Sequence, residues 1–138
     1  MSRPRNDGPA RLLAVVYAIF ALSAGARSAF QIATDFDAAP LAYSLSAVAA
    51  IVYLLAAACF WRPSARSWRL AVAALVLEFA GVVLVGALSL AAPDLFPEAT
   101  VWSQFGRGYG FVPLALPVLG LAWLLRPATR AEFAAIGP

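Results

Sequence analysis

Three long apolar stretches constrain this chain more than any other feature. They run from Leu12 to Ala33, from Leu41 to Trp61 and from Leu70 to Ala92. Each exceeds the ~20 residues that an α-helix needs to cross a bilayer core about 30 Å thick. A shorter fourth stretch, Tyr109–Leu125, holds Pro113 and Pro117, and the sequence predicts a kink there. Composition agrees: 63% of the residues are hydrophobic and only 12% are charged. A soluble domain of this size has too little interior for that much apolar surface.

The spacing therefore predicts an all-α polytopic membrane protein, with four transmembrane helices in one up-down bundle spanning residues 1–138. The helices are expected at about 12–33, 41–61, 70–92 and 109–125, with cytoplasmic tails at 1–10 and 126–138. The fourth is short, and it spans if the local bilayer thins or if Trp102–Phe105 continues it at the interface; a re-entrant segment is the alternative reading. A second competing reading concerns the first helix. Arginines, an apolar run and Ala24-Gly25-Ala26 together resemble a cleaved secretory signal, but the apolar run resumes beyond Arg27.

The charges set the orientation. All ten basic residues are arginines. Arg3, Arg5 and Arg11 flank the first run, Arg62, Arg66 and Arg69 fill the second connection, and Arg126 and Arg130 follow the fourth run. Asp35 and Asp37 lie in the first connection, and Asp94 and Glu98 in the third, against Arg107. Positively charged connections stay on the cytoplasmic side, so both termini are expected there, in a multi-pass protein of the plasma membrane. The basic charge is dispersed between apolar runs, which gives no nucleic-acid footprint. There is no histidine and one cysteine, Cys59, so an intrachain disulfide and a His/Cys metal centre are both excluded. No cofactor, metal site or catalytic residue is expected.

Two ionisable residues fall inside apolar runs, Glu78 and Arg27. Such residues are costly in a membrane and are candidate sites by default. Glu78 lies near mid-depth and Arg27 roughly 10 Å nearer the outer surface, so a direct pair between them is possible but strained. Helical spacing predicts inward faces of Phe20, Ser23, Ala24, Arg27 and Gln31 on the first helix and Tyr43, Ser46, Ala50, Tyr53 and Ala57 on the second. On the third it predicts Ala71, Ala74, Glu78, Gly81 and Val85. In the outer connection, Trp102, Phe105, Tyr109 and Phe111 surround Arg107 among glycines. The simplest reading is an aromatic belt at the membrane surface; the functional one is a lid or docking loop over the outer mouth.

The segments FDAAPLAYSLSAVAAIVYLLAA and DLFPEATVWSQFGRGYGFVPLALPVLGLAWLLRP resemble small four-helix integral membrane proteins of actinobacteria. The likeness extends from the first helix to Arg126. It implies the topology and a plasma-membrane location, and it implies no activity.

The leading expectation is a non-enzymatic accessory or self-associating subunit, partnered by the lipid bilayer and by its own copies or a larger membrane complex. The first alternative is an oligomeric proton, cation or small-solute transport unit using Glu78. The second is a membrane enzyme acting on a lipid or quinone.

Overall fold

The computed structural model describes residues 7–138, so Arg3 and Arg5 lie outside the described residues. Within them the chain is all-helical, with no strand. Helices α1 (Asp7–Asp35), α2 (Pro40–Trp61) and α3 (Ala65–Ala91) are each long and apolar enough to cross a membrane. A fourth such unit exists if the 3₁₀ segment Ser103–Tyr109 and helix α4 (Val112–Leu124) are taken as one broken element. Helix α5 (Pro127–Ile136) ends the chain.

Local chemistry explains the breaks. Pro40 opens α2, where its fixed φ and missing N–H cost nothing. Between α2 and α3, Pro63 stops one helix and Ser64 caps the next, its Oγ accepting from the Ser67 amide at 3.1 Å. Pro127 likewise starts α5, and Gly137, at φ 107°, ends it. Two boundaries differ from expectation. Asp7–Ala10 belong to α1 rather than to a tail. The 126–138 segment is mostly α5, whose Thr129 and Phe133 are buried; Phe133 meets the Trp123 ring edge-on at 5.8 Å.

The expected proline kink is replaced by something sharper. Helix α4 runs continuously through Pro117. The chain instead turns by 99° between Ser103–Tyr109 and α4, before either proline. The turn uses left-handed backbone at Gly110 and Phe111, after a run of left-handed residues at Gln104, Phe105 and Gly106. Such conformations are unfavourable for side-chain-bearing residues and persist only where surrounding structure enforces them.

Packing is inverted relative to a water-soluble protein. Large apolar side chains such as Leu22, Ile51, Leu54, Leu84 and Leu119 point outward. The interior holds alanines at many helix contacts and, among its largest enclosed side chains, Tyr17, Tyr53, Phe60 and Glu78. Small residues let helices approach, and polar groups tie them together where no water competes. An aromatic series threads the interior: Phe133, Trp123, Phe60, Tyr17, Tyr53, Phe20 and Tyr109, with successive centroids 5.8–6.1 Å apart. Trp123 is half-buried within this series. Trp68 ties α3 to the end of α4, its indole N–H donating to the Leu124 carbonyl at 2.8 Å.

Candidate functional site: a buried carboxyl and an inserted tryptophan

Glu78 is fully buried on α3. Its partner is Tyr17 of α1, whose hydroxyl donates to Oε1 at 2.7 Å. The other oxygen, Oε2, is buried with no hydrogen-bond partner among the described residues. The anticipated approach to Arg27 is not made. Arg27 is exposed and donates from Nη1 to the Tyr109 hydroxyl at 3.2 Å. The roughly 10 Å height difference is absorbed by two separate tyrosine partners, each at the level of the residue it serves.

The inward face of α1 also differs from expectation. Ser23 and Arg27 are exposed, and the buried stripe is Ala10, Ala14, Tyr17, Ala21, Ala24 and Ser28. That stripe repeats at intervals of four and three, which is equally helical. The polar side chains of Ser23, Arg27 and Gln31 drew the expected face around the helix, while Tyr17 sat unmarked in an apolar run. Gln31, half-buried, lies further along α1, outside the Tyr17–Glu78 contact. The predicted face of α2 is correct: Tyr43, Ser46, Ala50, Tyr53 and Ala57 are all buried. Tyr43 and Tyr53 nevertheless serve different places. Tyr43 forms a small cluster with Ala39 and Ala42, with Phe96 packed against it. Tyr53 stands beside Tyr17 at 6.0 Å between ring centroids.

The connection between α3 and α4 brings the largest correction. Trp102 is 3% exposed, so it is no surface belt. Its indole N–H donates to the Tyr53 hydroxyl at 2.8 Å, and its ring lies on Gly81 of α3. A Cβ built on Gly81 would stand 2.5 Å from Trp102 Cζ3. Phe105 lies on Gly86 in the same way. The two glycines, five residues apart, are thus seats for two rings rather than a helix-pairing motif. Further bonds tie the segment down: the Ser46 hydroxyl accepts from the Val101 amide at 3.3 Å, and Ser89 Oγ from the Gln104 amide at 2.8 Å. This connection is folded into the helices rather than draped over them.

The same connection borders an open cleft of about 420 Å³. Arg27 and Tyr109 line it together with Arg107, Gln104, Ser103 and Thr100. Arg27, Arg107 and Tyr109, each a candidate in the sequence, come together in this one cavity, which their spacing does not encode. Arg107 is exposed and donates to the Gln104 side-chain carbonyl at 3.3 Å. Among the described residues, no three of His, Cys, Asp and Glu gather as metal ligands. Cys59 is a buried free thiol.

The chain matches no known family model, no curated protein and no solved structure.

Proposed function

We propose that the chain is a four-span helical protein of the plasma membrane, with both termini cytoplasmic. In this reading Ser103–Tyr109 and α4 together make the fourth, broken span. Helix α4 alone has 13 residues, about 20 Å, which is short of a ~30 Å core. The arginine distribution gives the orientation, and the resemblance to small four-helix actinobacterial membrane proteins belongs to the same reading. The protein acts as a non-enzymatic accessory subunit that associates with its own copies or a larger membrane complex.

The observation that carries this reading is the enclosure of the interior polar groups. Glu78 is bonded to Tyr17, and Tyr53 to Trp102, on contacts that join α1 to α3 and α2 to the inserted connection. Polar groups used in this way fasten helices. One observation favours a second reading, the transport unit: the unpaired Glu78 Oε2 is a buried site to which a proton or cation could attach.

Proteoliposome flux separates the two. The accessory reading expects wild-type protein to pass protons and cations no faster than empty vesicles. Flux that Glu78→Gln abolishes would overturn it in favour of transport. Orientation is checked in a Cys59→Ala background by impermeant thiol labelling of cells. Asp37→Cys and Glu98→Cys should label from outside, and Arg66→Cys and Ala131→Cys only after lysis.

A further inference from the structure

The cleft at the Arg27 end has the chemistry of an anion site. Two guanidinium groups, from residues eighty positions apart in the chain, line one cavity, and no carboxylate lines it. The nearest acids in sequence, Glu98 and Asp35, lie outside the lining.

The donors are held in place. Tyr109 accepts one N–H of Arg27, and Gln104 accepts one of Arg107. Each guanidinium carries five N–H donors, so most remain to be shared with a ligand. Hydroxyl donors add to these. Thr100 and Ser103 Oγ atoms are 3.1 Å apart, so one donates to the other and the second keeps its hydrogen. Both oxygens already accept from backbone amides, at 2.9 and 3.0 Å, which fixes their position. The backbone beneath is rigidly set: Gln104 takes positive φ, and the Phe105 and Trp102 rings are seated on glycines of α3. The lining is cationic and rich in donors, and guanidinium groups suit phosphate oxygens, which they meet in a bidentate manner.

Exposed apolar side chains lie close in sequence to two of the lining residues. Phe30, one helical turn beyond Arg27, and Phe111 are strongly exposed apolar side chains.

We infer that the Arg27–Arg107 cleft binds a phosphate-bearing anion. Two sources share this chemistry, an anionic phospholipid headgroup and a free phosphate. The inference is independent of whether Glu78 conducts.

The test has two arms on full-length protein. In phosphatidylcholine nanodiscs containing a small fraction of phosphatidylglycerol, bound lipid is counted by native mass spectrometry after release. In neutral detergent at low salt, inorganic phosphate binding is measured by calorimetry. Each arm compares wild type with Arg27→Gln/Arg107→Gln and with Arg62→Gln/Arg126→Gln, a charge-matched change elsewhere. Saturable phosphatidylglycerol retention, lost at least tenfold in the first variant and kept in the second, supports a lipid headgroup site. The same pattern with inorganic phosphate supports a soluble anion. If neither ligand binds saturably, or both double variants lose binding equally, the inference is overturned. Arg107→Gln alone, at an exposed side chain, serves if the double variant fails to fold; unchanged binding in it also overturns the inference.

Discussion

Two connections at the same end of the molecule illustrate opposite uses of a loop. The first, between α1 and α2, is a single short 3₁₀ turn, Phe36–Ala38, with no buried residue of its own, followed by the buried Ala39. The second, between α3 and α4, runs from Ala92 to Phe111 and carries Trp102 and Phe105 into the helices. The first only reverses the chain. The second supplies the packing that a 13-residue α4 is too short to provide, and it builds one wall of the cationic cleft. Its cost is visible in the left-handed backbone at Gln104, Phe105 and Phe111. A long connection in a compact protein commonly has a function of its own.

The contrast is breakable at graded strengths. Trp102→Ala removes a buried ring and the bond to Tyr53. It should cost roughly 3–5 kcal/mol, the range for emptying a large aromatic site, read by reversible denaturation in mixed micelles. Gly81→Val forces a side chain into the Trp102 ring and should cost about 1–3 kcal/mol by overpacking. It should also make a thiol introduced at Val101 newly reactive to a soluble probe. An unreactive thiol in Gly81→Val would mean that the segment is held without its glycine seat.

Tyr17→Phe strips Glu78 of its one partner, leaving a buried polar group unsatisfied at about 1–3 kcal/mol. Adding Glu78→Leu to Tyr17→Phe should recover part of that loss, because both polar partners are then gone. A purely additive double variant would show that the 2.7 Å contact carries no coupling. The smallest effect belongs to the other connection. Doubling the length of the Phe36–Ala38 turn with Gly-Ser residues should cost only about 0.6 kcal/mol, the entropy of a longer closed loop. A loss as large as that of Trp102→Ala would erase the distinction between the two connections.

The differences between expectation and structure follow one rule. The faces of α2 and α3 were legible because small residues recur there at helical spacing with polar ones among them. The face of α1 was not, because its polar residues Ser23 and Arg27 recur on a stripe that the helix turns outward. A hydroxyl on a tyrosine does not disturb hydropathy, so Tyr17 passed as an apolar residue. Trp102 passed as an interfacial aromatic for the same reason. An indole is equally suited to an interface and to a packed interior, and only its neighbour decides.

The sequence by itself determined that the chain is helical and apolar enough to enter a bilayer, because run length and hydropathy are local quantities. It also marked Glu78 as enclosed and gave the arginine asymmetry on which the proposed orientation rests. Tertiary structure alone decided which tyrosine meets Glu78, that Trp102 sits on Gly81, and that Arg27 and Arg107 face one cleft. Those are pairings between residues 21 to 80 positions apart. They depend on helix rotation and on the fold of one long connection, which no local pattern encodes.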